Sequence, residues 1–172
     1  MQKTGYWGNV RVIPIESEGS ELLVKGKILE SDGETIKLNI QVYDAQNNKW
    51  FDKNYSQTVR NDERVETEIE RKDTFQNTYT DISNDIIEYR QKLTPSEIEK
   101  IKQIAKIRFA NYMAPDIYSN YLNKGRDNKY QLNHLPSEND PMIKRISSIK
   151  SRDEMLVDTV NNYYDIYYAD MR

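Results

Sequence analysis

The side chains in this chain that could do chemistry are mostly carboxylates. There is one histidine, His134, and no cysteine. The missing cysteines exclude disulfides, thiolate metal sites and a cysteine nucleophile. A Ser-His-Asp arrangement would have to use His134. That residue sits in the polar stretch GRDNKYQLNHLPSE (125–138), two positions before Pro136. As a metal ligand it would have only Glu138 or Asp140 beside it. Zinc sites usually draw on two or more His or Cys ligands, so an ordinary loop histidine is expected. Paired carboxylates can serve as general acid and base. However, Asp62, Glu63, Glu66, Glu68 and Glu70 fall in the charged stretch RNDERVETEIERKDT (60–74), where solvation explains them better than catalysis. Asp153 interrupts an otherwise apolar helical stripe. With Arg108, Arg145 or Arg152 as partner, it is expected to form a buried ion pair that docks the helix. Neither GxxxxGK[ST] nor GxGxxG occurs, and Asp127-Asn128 does not continue into a calcium loop. No catalytic residue, cofactor site or metal site is expected.

The second notable class is aromatic, with 13 Tyr against 3 Phe and 2 Trp. Tyrosine buries a ring while keeping its hydroxyl wet, which suits a surface that is covered but not sealed. Two places concentrate such residues. One is the hairpin stretch YDAQNNKWFDKNY (43–55), with Trp50 and Tyr55. The other is the terminal stretch NNYYDIYYADM (161–171). There Tyr163 and Tyr167 continue an apolar stripe, and Tyr164 and Tyr168 lie about 100° round the helix. Packing in the core is the ordinary reading of the stripe. Aromatics also anchor interfaces, so Trp50, Tyr55, Tyr164 and Tyr168 are the candidate contact residues, the latter pair for a partner or a second copy.

These residues must be positioned by a thin core. Of 172 residues, 37% are hydrophobic and 31% charged, and the net charge of −3 gives no basic excess for a nucleic-acid partner. No run of 18 apolar residues occurs, and the first residues lack the apolar segment of a signal peptide. An export signal or lipid anchor upstream of Met1 is part of the expectation.

The hydrophobic period changes near residue 60. Before it, apolar residues alternate. Asn9–Ile15 reads as a first strand. Leu22, Val24, Gly26 and Ile28 mark a second, and Ile36, Leu38, Ile40 and Val42 a third. Lys49–Val59 returns as a fourth. Ser31-Asp32-Gly33-Glu34 and Asn47-Asn48 are the turns. Residues 60–74 are compatible with a hairpin arm, a loop or a helix start. Phe75, Tyr79, Ile82 and Ile86 then set a helical period over 74–92. Thr94-Pro95-Ser96-Glu97 is a capping box opening a helix that stops before Pro115. A short helix over 116–123 follows. A last helix, capped by Asn139 or Asp140, carries Met142, Ile146, Ile149, Leu156, Val160, Tyr163, Tyr167 and Met171. The expected fold is α+β in one domain: an antiparallel sheet of about four strands over residues 9–59, a charged connector, then about four helices over 74–171, some covering the sheet.

The segment Glu21–Gln57, ELLVKGKILESDGETIKLNIQVYDAQNNKWFDKNYSQ, resembles a sheet module of bacterial envelope proteins, seen in the amino-terminal domain of TolB and in CsgG-like outer-membrane lipoproteins. The matching positions are Gly26, the alternation Ile36–Val42, Asp44-Ala45 and Trp50-Phe51. Gly26 would allow close approach of a neighbour, Asp44 would bond its own turn, and Trp50 or Phe51 would fill the gap between sheet and helix. Two departures stand beside the match. The turn is Gln46-Asn47-Asn48 where the family carries a glycine, and residues 9–15 leave no room for the family's preceding helix. The resemblance implies a periplasmic or outer-membrane-associated module of a Gram-negative bacterium, non-enzymatic, that binds protein partners or assembles with itself. The alternative is a hydrolase that acts on a cell-wall polymer with two carboxylates.

Overall fold

The computed structural model describes Trp7, residues 10–12, 18–59, 75–137 and 139–170; the side chains at 165 and 168–170 are outside that set. The fold is α+β. Strands β1 (Leu22–Ser31), β2 (Thr35–Asp44) and β3 (Lys49–Thr58) form an antiparallel meander in that order. Helices α1 (Gln76–Gln91), α2 (Pro95–Met113) and α3 (Pro115–Tyr118) follow, and a 3-10 turn covers Ser119–Tyr121. Strands β4 (Leu122–Lys124) and β5 (Tyr130–Leu132) make a small second sheet, and α4 (Pro141–Asp170) closes the chain. The expected first strand at 9–15 lies partly outside the described residues, and its described part, 10–12, has no strand structure. The main sheet is therefore three-stranded among the described residues. The charged segment 60–74 also lies outside them. The polar connector 125–138, expected to be plain loop, supplies β5.

The chain forms two compact units. One comprises 20–105 and 124–131, the other 1–19, 106–123 and 132–172. The change of hydrophobic period near residue 60 falls inside one unit, which holds the meander, α1 and the first part of α2.

In the meander unit, the alternation of β2 is the organising feature. Ile36, Leu38, Ile40 and Val42 are all buried, and Lys37 and Asn39 face outward. On β3 the inward residues break alternation. Phe51 pairs with Val42 and Lys49 with Tyr43, so Trp50 is the extra residue of a β-bulge. The bulge lets Trp50 turn inward although Tyr55, five residues on, is also inward. Gly26 does not mark a forced approach. An added methyl there would meet only Ile40 Cδ1, at 3.4 Å.

Helix α1 packs on β3, and its inward residues Ile82 and Ile86 are buried. Each such side chain contributes about 1.5–3 kcal/mol of transfer free energy. Its N-cap, Phe75, has no capping side chain. Instead Gln57 Oε1 on β3 accepts from the Thr78 backbone N–H at 3.1 Å and the Thr78 hydroxyl at 2.7 Å. The strand thus satisfies an orphan donor of the helix. Helix α2 opens on the expected capping box. Glu97 Oε2 accepts from the Thr94 N–H at 2.7 Å, and Thr94 Oγ1 accepts from the Glu97 N–H at 3.3 Å.

The β2–β3 turn is built on one buried carboxylate. Asp44 is only 6% exposed. Its Oδ1 accepts from the backbone N–H groups of Gln46 and Asn48, both at 2.9 Å. Its Oδ2 accepts from Asn48 Nδ2 at 3.2 Å and Trp50 Nε1 at 3.3 Å. Asn47 takes the left-handed backbone the turn needs, at φ +67. The β4–β5 tip leans on this turn: Gln46 O accepts from Tyr130 N–H at 2.9 Å.

Asp44→Ala strands these partly buried donors, and each stranded donor costs on the order of 1–3 kcal/mol. Urea unfolding should show a loss of about 3 kcal/mol or more in total, with Asp44→Asn intermediate. A loss below about 0.5 kcal/mol for Asp44→Ala, the scale of an ordinary surface change, would show that the carboxylate does not organise the turn.

Candidate functional site

The two hairpin aromatics expected on the surface are inside. Trp50 is 8% exposed and Tyr55 7%. Trp50 stacks on Tyr89 of α1 with ring centroids 4.8 Å apart and planes 15° from parallel. Tyr55 donates to Asp85 Oδ2 on α1 at 2.5 Å, and Lys53 Nζ reaches the same oxygen at 2.6 Å. The bulge at Trp50 corrects the expectation: it turns in a ring that simple alternation from Tyr55 would turn out. These residues join sheet to helix.

Burial pushes the Tyr55 hydroxyl well above its ordinary range, and the Asp85 charge beside it adds to the shift. Burial also pushes Asp85 up, but the hydrogen bonds from Lys53 and Tyr55 outweigh it and hold this carboxylate below its ordinary value. The cluster is therefore strongest while Asp85 is charged and Tyr55 is protonated.

His134 is exposed and lies against the Tyr121 ring, centroids 4.1 Å apart. Asp140 is the expected cap of α4, accepting from Met142 N–H at 2.8 Å and from the buried Tyr118 hydroxyl at 3.2 Å. Burial and the Asp140 charge push Tyr118 up to about 12. Among the described residues no group of three or more His, Cys, Asp or Glu is placed to hold a metal. The acidic run from Asp62 to Glu70, on which a carboxylate mechanism would draw, lies outside them. Asp153 is exposed, not buried as expected. Arg108, one of its expected partners, instead donates to Glu18 Oε2 at 2.7 Å.

The second unit carries the more distinctive surface. Among the described residues its core comprises Ile107, Ala110, Tyr118, Ile143 and Ile146, with Phe109, Tyr121 and Leu132 against them. A turn at Glu18-Gly19 packs here. Gly19 has φ +90, and a methyl on it would fall 2.6 Å from Phe109 Cβ. Its carbonyl accepts from Lys150 Nζ at 2.8 Å. Helix α4 contributes Ile143 and Ile146 to this core, yet it runs on for more than twenty further residues. On that distal part, Leu156, Val160, Tyr163, Tyr164 and Tyr167 are exposed, Tyr163 by 70% and Tyr167 by 65%. The stripe expected to be core is core only at its start. Tyr164 is exposed as expected of a contact residue, and the Tyr168 side chain is outside the described set. The Arg11 guanidinium binds the opposite face, donating to Asp158 at 2.8 and 2.9 Å and lying 3.8 Å from Glu154. No helix is long and apolar enough to cross a membrane among the described residues.

Comparison with known proteins adds no relative: no family model matches, and neither the curated proteins nor the solved structures contain a match to this chain.

The Tyr55–Asp85 pair sets a pH signature. Asp85 titrates lower folded than unfolded, so its contribution is present above about pH 4 and is lost as pH falls. Tyr55 titrates higher folded than unfolded, so its contribution is present below about pH 10 and is lost as pH rises past that value. Urea midpoints measured across pH should fall at both ends in the wild type. Asp85→Asn should flatten the acid limb, and Tyr55→Phe should shallow the alkaline one, where Tyr118 also acts. Parallel profiles for wild type and both variants would dismiss the cluster as a pH-dependent clamp.

Proposed function

We propose that this chain is a non-catalytic interaction module whose contact surface is the distal half of α4. One observation carries the reading: a row of large apolar side chains, Leu156, Val160, Tyr163 and Tyr167, stands exposed on a helix whose other face is held by Arg11. Scattered apolar residues on a surface are ordinary, but a continuous stripe marks a contact site. Its tyrosines suit that role, since their rings bury area at small entropic cost and their hydroxyls stay hydrated. Ion pairing of Arg11 to the back of the helix keeps the apolar face turned away from that contact.

The cellular setting of the proposal is the bacterial envelope, on the strength of the resemblance of residues 21–57 to envelope sheet modules. The partner would then be an envelope protein or another copy of this chain.

Site-specific photocrosslinking in the source cells tests both parts. A photoreactive residue at Tyr164 should give a discrete protein adduct in the envelope fraction, and one at Asn54, on the outer face of the meander, should not. If Tyr163, Tyr164 and Tyr167 all fail to give an adduct, the contact surface is wrong. If the protein fractionates with the cytoplasm, the envelope setting is wrong.

A further inference from the structure

The outer edge of the meander carries two features that its own unit does not use. Strand β1 pairs with β2 on one side and, among the described residues, with no strand on the other. Residues 24–29 are all exposed, Ile28 by 67%. An edge strand presents backbone N–H and C=O groups to which another extended chain can add.

The first feature is Gly26. It sits in mid-strand opposite Ile40, where a glycine weakens a strand. Its φ is not positive, and an added methyl would meet only Ile40 Cδ1, at the ordinary contact distance of 3.4 Å. Neither backbone conformation nor packing within the unit therefore asks for glycine. A glycine inside a strand also marks a place where another backbone comes close. Here it leaves a gap beside Ile40, between Val24 and Ile28 on the same face.

The second feature is charge. Lys25 and Lys27 flank Gly26 and lie on the other face, opposite Gln41 and Asn39. Of the charged residues in the three strands, Lys25, Lys27, Lys37 and Lys49 share this face with only Glu30 and Asp52. Both carboxylates are held by other groups: Glu30 by Lys37, and Asp52 by Asn39, Gln41 and Lys49. Lysines on an edge strand guard it against unwanted pairing, and they also decide what can pair. A second copy of β1 laid antiparallel about Gly26 would set Lys25 against Lys27, and like charges directly opposite destabilise a strand pair. An acidic segment has the reverse effect.

We propose that the outer edge of β1 takes an extended segment of a partner protein, in which an aromatic residue is flanked by two acidic ones. Added antiparallel beside β1, the segment places its acids opposite Lys25 and Lys27 and its aromatic ring opposite Gly26. Cross-strand pairs of opposite charge, and an aromatic ring covering an edge glycine, are both stabilising. Backbone hydrogen bonds supply the affinity, and the three side chains supply the choice. The edge belongs to the meander unit, so this contact is independent of the one on α4. Asn54 lies on β3, across β2 from β1, two strand spacings or ~10 Å away.

The test is a titration of the isotope-labelled whole chain with the peptide Thr-Ser-Glu-Phe-Glu-Ser-Thr, followed by two-dimensional NMR. The amides of residues 24–28 should shift and saturate, less readily as salt screens the charges. The peptide Thr-Ser-Lys-Phe-Lys-Ser-Thr should leave them in place. Lys25→Glu combined with Lys27→Glu should reverse the preference between the two peptides. Gly26→Ala should weaken binding several-fold yet leave the urea midpoint unchanged or higher, since alanine suits a strand better than glycine. Equal binding of both peptides would overturn the charge choice, and undiminished binding to Gly26→Ala would overturn the seat at the glycine. No shift in β1 at millimolar peptide would overturn the whole proposal. Shifts in β1 that grow with protein concentration alone would show a second copy on the edge and overturn it as well.

Discussion

Asp44 is the group on which the meander unit depends. A carboxylate taken almost wholly out of water is costly unless it is hydrogen-bonded, and each of its oxygens here accepts two donors. Two of those donors are backbone groups of the turn, and a third is the indole of Trp50. The turn, the bulge and the indole are thus fixed by one side chain. Because the bulge places Trp50 inward, the indole reaches Tyr89, and the stacking registers α1 along β3. Further along the same strand, Tyr55 and Lys53 reach Asp85, and Gln57 caps the first turn of α1. Strand β3 therefore holds the helix at three points, and the position of the first follows from Asp44.

Much of this architecture was legible because it is local. The alternation Ile36–Val42 needs only a pleat with one wet face. The turn at Asn47 needs only a residue that tolerates positive φ, and the Thr94–Glu97 box and the Asp140 cap need only a hydroxyl or carboxylate at a helix entrance. Asp44 was readable as a turn-bonding residue for the same reason. Although Trp50 or Phe51 was expected to fill the gap between sheet and helix, the joint burial of Trp50 and Tyr55 was not readable from alternation. They are five residues apart, so strict alternation puts them on opposite faces, and only the bulge reconciles their shared burial. A bulge is an event of pairing between two strands and leaves no period in either one. Strand β5 escaped notice for a related reason: three residues of pairing are too few to show a period.

The misreading of α4 has a different source. A helix stripe that faces its own core and one that faces another helix obey the same spacing rules, since both bury one edge. What separates them is the amount of surface available to cover the stripe. Among the described residues, the buried core of the unit takes Ile143 and Ile146 from α4, both at the start of the helix. At thirty residues, or about 45 Å, α4 outruns any core that a few buried side chains can provide. Asp153 looked like a candidate for burial because it sat on the stripe. It is exposed because the stripe is exposed.

The composition of the distal segment makes that exposure informative. Asn161-Asn162-Tyr163-Tyr164-Asp165-Ile166-Tyr167 contains none of the strong helix formers. Short helices of such residues are marginal in water, and most helical stability in proteins comes from packing an apolar face. The basic residues of α4 all precede its acidic ones, an order that works against the helix dipole as well. A segment with weak propensity, adverse charge placement and an uncovered apolar edge would be a poor helix standing alone. In a chain where only 37% of residues are hydrophobic, it also leaves scarce apolar side chains exposed. Covering that edge would supply by packing what propensity lacks. That a weak helix former carries an uncovered apolar edge is the strongest physical reason to read distal α4 as a contact surface.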